Sequence, residues 1–241
     1  MIILFVAGFV GSFYGSAVGG TGLITFTTLT LLGFPIPVAL ATHRFSVLFL
    51  DISSTVAFYV QKRMFLKISF LFAAVLGIGA YFGARFLLVF PAEQLEYLVA
   101  IILTCAFVLM LFSSRIKKPV RGFKPWYLFI AIPVLFLLGI YCGFFGIAGG
   151  ILIIFVPVFL GYSLLESISI MRFSGIAISL VASYVFYTAD LINYTAAIPL
   201  VFGSVIGSWM GISYAIKKGD NYIRWLMGVV MVLSLIQLLF W

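Results

Sequence analysis

The run FLFAAVLGIGAYFGARFLLVF at residues 70–90 contains a single charged residue, Arg85. A helix needs about 20 such residues to cross the hydrocarbon core of a bilayer. The run does not alternate apolar and polar residues, as a strand of an outer-membrane barrel would. Similar runs fill most of the chain, which is 65% hydrophobic and 8% charged with a mean hydropathy of +1.30. The sequence therefore predicts an all-α polytopic membrane protein without a soluble domain.

A net charge of +8 is compatible with a nucleic-acid partner, but basic residues in a membrane protein normally mark the loops that stay in the cytoplasm. We therefore predict no nucleic-acid partner, and a multi-pass protein of a prokaryotic plasma membrane with cytoplasmic basic loops. Cys105 and Cys142 lie in apolar segments and are predicted to be packing residues.

The chain aligns with itself at an offset of 128 residues, without a gap, so that residues 11–113 fall on 139–241. Glycines and one charged tripeptide coincide, whereas chance matching of apolar segments favours leucine and valine. The matching tripeptide is Arg-Phe-Ser, at 44–46 and at 172–174. We predict two homologous halves, residues 1–113 and 126–241, joined by a basic cytoplasmic linker at 114–125.

Each half begins with an apolar stretch too long for one straight crossing, at residues 2–33 and 126–160. The glycine-rich segments SAVGGTG and FFGIAGG interrupt these stretches and weaken a helix there. Three helices are predicted to follow in each half, near residues 37–60, 66–90, 95–113, 165–188, 194–216 and 223–240.

Loop charges distinguish two topologies that are open to such a chain. If each broken stretch crosses the membrane once, giving eight spans, two of the three basic clusters lie in the cytoplasm and the third lies outside. If each broken stretch forms a hairpin, all three basic clusters lie in the cytoplasm, as the positive-inside rule prefers. Each half then has an odd number of crossings, and the halves form an inverted repeat with 8 to 10 membrane segments in total. The clusters are Lys62, Arg63, Lys67; Arg115, Lys117, Lys118, Arg121, Lys124; and Lys217, Lys218, Arg224.

Arg44 and Arg172 are the candidate site residues that the repeat singles out. An arginine at bilayer depth costs roughly 2.5 kcal/mol or more, so each should face the protein interior or an aqueous cavity. Guanidinium donors and the amides at the glycine breaks would suit an oxyanion. The alternative is a structural role, for which Asp51, seven residues after Arg44 on the same helix face, is the candidate partner.

The residues that the repeat does not duplicate are weaker candidates. His43 is matched by Met171, and Asp51 by Ser179, so either could serve proton coupling in one half only. No nucleophile-base pair, metal-spaced cluster or phosphate loop is present, and we predict neither an enzyme nor a cofactor or metal. The glycine pairs at 79 and 83 and at 207 and 211 are typical of close helix packing.

The chain resembles the sulfite exporter TauE/SafE family, also called TSUP or DUF81, over essentially its whole length. The similarity rests on GSFYGSAVGGTGLITFTTLTLLGFPIPVALATHRFS at 11–46, on GIGAYFGARF at 77–86 and on the repeated second half. The resemblance implies a plasma-membrane carrier that moves sulfite or organosulfonates, generally outward. Arg85 matches the arginine of the second motif, and we interpret it as structural or lipid-facing.

Repeat and resemblance together give the predicted substrate-binding set. It combines the two Arg-Phe-Ser copies, the residue pattern of the family's opening, and the second glycine break: Arg44, Arg172, Ser46, Ser174, Thr42, Gly19, Gly20, Thr21, Gly22, Gly149 and Gly150. The predicted function is a secondary transporter, an exporter of small sulfur-containing anions, with alternating access between the halves. A passive anion channel and a carrier for another small anion remain open as alternatives.

Overall fold

The computed structural model describes residues 1–90, 127–147 and 149–239. These ranges consist of helices and short connections, and no strand occurs in them. The helices are α1 (Ile2–Val18), α2 (Gly22–Leu31), α3 (Ile36–Val60), α4 (Leu66–Val89), α5 (Tyr127–Phe144), α6 (Gly149–Phe159), α7 (Leu164–Thr188), α8 (Tyr194–Lys218) and α9 (Asp220–Leu239).

Five helices of the described ranges, α3, α4, α5, α7 and α8, are long and apolar enough to cross a membrane. Large apolar side chains project outward from them, among them Phe70, Phe129 and Phe202. Such a surface is suited to lipid rather than to water. The protein is therefore a multi-pass membrane protein, as its composition predicts.

The helix boundaries follow local signals that the sequence contains. Ser163 and Glu166 form a capping box at the start of α7, and the Asn193 side chain accepts from Ala196 N at the start of α8. The predicted helices near 37–60, 66–90, 165–188 and 194–216 are confirmed to within two residues, while α9 begins three residues earlier than predicted. The predicted helix at 95–113 and the linker at 114–125 lie outside the described residues.

Both long apolar stretches are broken at the predicted glycine segments. Helix α1 ends at Gly19, whose φ of 86° is in the left-handed region, and α2 then turns back along α1. A Cβ atom at Gly11 would lie only 3.2 Å from Thr25 Cγ2, so the two helices form a tight hairpin. In the second half α5 ends at Phe144, and α6 begins at Gly149.

Each first helix packs against the other half of the chain. Helix α1 runs parallel to α8, and Cβ atoms at Gly203, Gly207 and Gly211 would overlap the carbonyl oxygens of Phe5, Phe9 and Phe13 in turn. Helix α5 runs parallel to α4 in the same way, with Gly79 and Gly83 against the carbonyls of Phe136 and Ile140. The interpretation of these glycines as close-packing positions is confirmed.

Two basic clusters lie at one end of the helix bundle. The Phe65 ring, after α3, packs edge-on against Tyr162 at a centroid distance of 6.0 Å, and Leu165 N donates to Asp220 Oδ1 over 3.3 Å. The loops before α4, α7 and α9 therefore share this end, which carries Lys62, Arg63, Lys67, Lys217 and Lys218. Asp190 belongs to the loop between α7 and α8, at the opposite end.

Candidate functional site

The two glycine breaks meet at the centre of the bundle. A Cβ atom at Gly19 would lie 2.6 Å from the Gly150 carbonyl carbon, and one at Gly150 would lie 2.9 Å from Gly19 Cα. Backbone therefore touches backbone between residues of different halves, and no side chain fits at either position. This contact brings the N-terminal ends of α2 and α6 together beside the crossing of α3 and α7.

Arg172, on α7, is engaged at all three of its nitrogens. Nε donates to Ser16 O over 2.8 Å, Nη2 to Gly15 O over 2.6 Å, and Nη1 to Asp51 Oδ1 over 2.8 Å. The two carbonyls belong to the last turn of α1, where the helix dipole is negative, and Gly15 O also accepts from Gly19 N over 2.6 Å. Arg172 thus caps the broken helix of the other half and is only 3% exposed.

Asp51 is the buried counter-charge of Arg172. Its Oδ2 also accepts from Ser179 Oγ over 3.2 Å, and the absent side chain of Gly175 leaves room for the carboxylate, because a Cβ there would lie 2.5 Å from Oδ2. The sequence places Asp51 beside Arg44, but the structure pairs it with Arg172. Seven positions along a helix correspond to a rise of about 10 Å, and the Arg44 guanidinium donates to Cys142 O rather than to Asp51.

Arg44, on α3, has fewer partners. Its Nη2 donates to the carbonyl of Cys142, in the last turn of α5, and occupies the space that a side chain at Gly146 would fill. Within the described ranges no carboxylate lies within 4.0 Å of this guanidinium, and no second hydrogen bond engages it. A guanidinium has five N–H donors, and the described residues accept a hydrogen bond from only one of them in Arg44. The Arg44 side chain is nevertheless only 7% exposed.

A cavity lies between the two arginines and the two glycine breaks. Its volume is about 40 Å³, enough for about three water molecules. Both halves contribute to its wall. The polar and thiol side chains that line it are those of Thr21, His43, Arg44, Asp51, Cys142 and Arg172, and the glycines are Gly19, Gly22, Gly146, Gly150 and Gly175.

His43 is held by a side chain that the sequence does not single out. Its Nδ1 lies 2.7 Å from Thr25 Oγ1, and that hydroxyl also donates to Thr21 O over 3.1 Å. Because the Thr25 hydroxyl donates its proton to Thr21 O, its oxygen accepts a hydrogen bond from Nδ1–H of His43. The other ring nitrogen of the neutral imidazole, Nε2, is then a hydrogen-bond acceptor. A Cβ at Gly22 would lie 3.1 Å from Nε2, which places this nitrogen at the cavity wall.

Several predicted site residues do not reach the cavity wall. The hydroxyls of Ser46 and Ser174 donate to carbonyls of their own helices, at His43 and Ile170. Thr42 Oγ1 accepts from Asn193 N over 3.1 Å. Gly20 and Gly149 are chain neighbours of residues that line the cavity but are not part of its wall.

The residues that sequence reasoning missed contribute a backbone carbonyl or leave space because they have no side chain. Cys142 contributes a carbonyl to Arg44, and Gly146 and Gly175 contribute the absence of a side chain. Arg85, in contrast, is exposed on α4 and lies over the Tyr81 ring at 5.4 Å, in agreement with its structural or lipid-facing interpretation. In the described part of the chain no three His, Cys, Asp or Glu side chains are grouped as metal ligands.

Comparisons with known proteins agree on a family of transporters. The chain is 24% identical to a probable membrane transporter protein of Haemophilus influenzae, over 93% of this chain and 88% of that one. It is 24% identical to the probable membrane transporter protein YfcA of Escherichia coli, over 99% and 89%. The corresponding values for YdhB of Bacillus subtilis are 23%, 89% and 88%.

No solved structure gives a significant match to the chain. The model of the family described as sulfite exporter TauE/SafE, however, matches residues 4–238. This match covers both glycine breaks, both arginines and the cavity between them. The chain therefore belongs to the sulfite exporter TauE/SafE family of membrane transporters.

Proposed function

We propose that this protein is a secondary transporter that exports small sulfur-containing anions, sulfite or an organosulfonate, through the cavity between its halves. The observation that carries the proposal is Arg44, a buried cation that forms no ion pair within 4.0 Å in the described ranges, while the nearby Asp51 is paired with Arg172. A buried charge without a counter-charge is costly, and an anionic substrate in the adjoining cavity would supply the missing partner. The family description names sulfite, which supports this choice of anion.

The two arginines take different parts in this proposal. Arg44 contacts the substrate through its unused N–H groups, which match the oxygens of a sulfite or sulfonate group. Arg172 positions the end of α1 and, paired with Asp51, adds little net charge. The N-terminal ends of α2 and α6 at Gly22 and Gly150 direct the positive ends of their dipoles toward the same cavity.

The proposed transport mechanism is alternating access between two inverted halves. Helix directions support it. Helix α4 begins and α8 ends at the basic end of the bundle, so these two helices run in opposite directions. Because α1 runs parallel to α8 and α5 runs parallel to α4, α1 and α5 enter the bundle from opposite ends. The site lies where the halves meet, about 12 Å along α3 and along α7 from their first residues. Movement of one half against the other would open this site to each side in turn.

The end that carries Lys62, Arg63, Lys217 and Lys218 is the proposed cytoplasmic end, in a prokaryotic plasma membrane. An inside-negative membrane potential favours the exit of an anion by about 2.3 kcal/mol per charge per 100 mV. Export therefore needs no obligatory coupling ion, and the chain contains no ATP-binding motif. If protons are coupled, His43, whose Nε2 is at the cavity wall, is the proposed carrier, with Asp51 as the second candidate.

Counterflow in proteoliposomes tests the proposal. Vesicles loaded with unlabelled sulfite should accumulate ³⁵S-sulfite transiently and in a saturable manner at neutral pH, because a carrier exchanges one substrate for another. Flux that neither saturates nor shows counterflow would identify a passive anion channel instead. Absence of flux for sulfite, thiosulfate, sulfate and methanesulfonate alike would refute an anion-transport function.

A further inference from the structure

The charges around the cavity do not balance. Arg172 and Asp51 form an ion pair at 2.8 Å and cancel each other, and Arg44 has no such partner among the described residues. His43 and Cys142, the other titratable groups in the wall, are mainly neutral at about pH 8 even with ordinary pKa values. The lining therefore carries one net positive charge, although it contains two arginines.

The size of this charge bears on which substrates can bind. A singly charged anion beside Arg44 leaves the buried site electrically neutral, whereas a doubly charged anion leaves one negative charge without compensation. Burial of an uncompensated charge is strongly unfavourable, and the cavity is too small to bring many waters with the substrate. We propose that the site selects singly charged oxyanions over doubly charged ones of the same shape, and that Asp51 sets this preference.

Hydrogensulfite and simple sulfonates carry one charge, and sulfate carries two. The inference rests on the proposed function and specifies the substrate class of that same site. Asp51 is thereby a specificity-determining residue whose carboxylate holds the charge of the cavity at one. The pattern of the repeat agrees with this role, because Ser179 stands at the position that matches Asp51 and so provides no second carboxylate.

Methanesulfonate and sulfate are a suitable pair of probes, because both are tetrahedral and similar in size and their charges are fixed near pH 8. In proteoliposomes of the wild-type protein, counterflow of methanesulfonate should exceed that of sulfate by on the order of tenfold or more at equal concentration. Equal rates, or faster sulfate counterflow, would overturn the inference.

Two variants separate net charge from local geometry. Asp51→Asn keeps the acceptor for Arg172 but raises the lining charge to two, and it should shift the preference toward sulfate by on the order of tenfold. Asp51→Asn with Arg172→Gln returns the charge to one and should restore the preference for methanesulfonate. An unchanged ratio in Asp51→Asn, or a sulfate preference kept in the double variant, would contradict the role of Asp51.

The wild-type ratio tests the charge selection even if a variant does not fold, and the variants test the role of Asp51. Sulfite counterflow at neutral pH, measured in the same vesicles, separates the two levels of the account. Sulfite counterflow without a preference between methanesulfonate and sulfate refutes the charge selection and leaves the transport function standing. Loss of all anion counterflow in the wild type refutes both.

Discussion

Arg172 Nη1 lies 2.8 Å from Asp51 Oδ1, and this ion pair joins α7 of the second half to α3 of the first. The same guanidinium holds two carbonyls of α1, so that one side chain connects three helices at the glycine breaks. Arg44, in the other Arg-Phe-Ser tripeptide, holds one carbonyl of α5 and meets no carboxylate within 4.0 Å in the described ranges. Two arginines at matching positions thus have different surroundings.

The first prediction concerns the stability that Arg172 provides. Arg172→Met leaves Asp51 as an uncompensated buried carboxylate and should lower the free energy of unfolding by about 3–5 kcal/mol. Adding Asp51→Leu should recover a large part of this loss, because removal of both charges is less costly than removal of one. Thermal unfolding in detergent measures both, with Arg85→Ala as the exposed control, expected to change stability by about 0.5 kcal/mol or less. Additive effects of the two substitutions would contradict the pairing.

The second prediction uses two glycines with similar backbone conformations. Gly146 and Gly33 have φ of 69° and 84°, so alanine is strained at both. At Gly146 the new methyl group would also take the place of Arg44 Nη2, whereas at Gly33 no atom of the part of the chain that the structure describes lies within 4 Å of it. Gly146→Ala should therefore reduce sulfite counterflow at least about tenfold more than Gly33→Ala does. Equal losses would show that backbone strain alone is responsible.

The third prediction concerns the contact between α1 and α8. A methyl group at Gly207 would overlap the Phe9 carbonyl, and Gly207→Ala should destabilise the protein by about 1–3 kcal/mol. At Gly228, in α9, no atom of the described residues lies within 4 Å of an added Cβ, and Gly228→Ala should be neutral or stabilising by up to about 1 kcal/mol. Unfolding temperatures in detergent compare the two. A stable Gly207→Ala variant would argue against the close helix approach.

The fourth prediction concerns the orientation of the chain in the membrane. In a background without Cys105 and Cys142, single cysteines at Met64 and Asn221 should react with an impermeant thiol reagent from the cytoplasmic side only. A cysteine at Thr188, at the other end of α7, should react from the outside. These three positions sample the basic end and its opposite. Labelling of Met64→Cys and Asn221→Cys from different sides would contradict the proposed inverted topology.

Much of the fold follows from patterns that the sequence displays directly. Apolar run length fixes the helices, and the capping box at Ser163 fixes the start of α7. The glycine breaks at Gly19 and Gly146 are also visible, because helix interiors tolerate clustered glycines poorly. The repeat points to Arg44 and Arg172 as a pair, and the structure places both at one cavity.

The partners of these arginines could not be predicted in the same way. Asp51 is a sequence neighbour of Arg44 on α3, and only the crossing of α3 with α7 brings it to Arg172. The carbonyls of Gly15, Ser16 and Cys142 have no signature in the side-chain sequence, since every residue has a carbonyl. The hydroxyls of Ser46 and Ser174 are consumed by their own helices, a competition that the tripeptide alone does not reveal.

The measurement that tests the central claim most directly is ³⁵S-sulfite counterflow in proteoliposomes that contain Arg44→Ala, with Arg44→Lys and Arg85→Ala alongside. Loss of a buried charged partner costs about 2–5 kcal/mol, so Arg44→Ala should lower the flux roughly 100-fold. Arg44→Lys should fall between, since it keeps the charge and loses the planar fork of donors, and Arg85→Ala should match the wild type. Sulfite counterflow at the wild-type rate in Arg44→Ala protein that is correctly folded would contradict the assignment of Arg44 as the anion-binding residue.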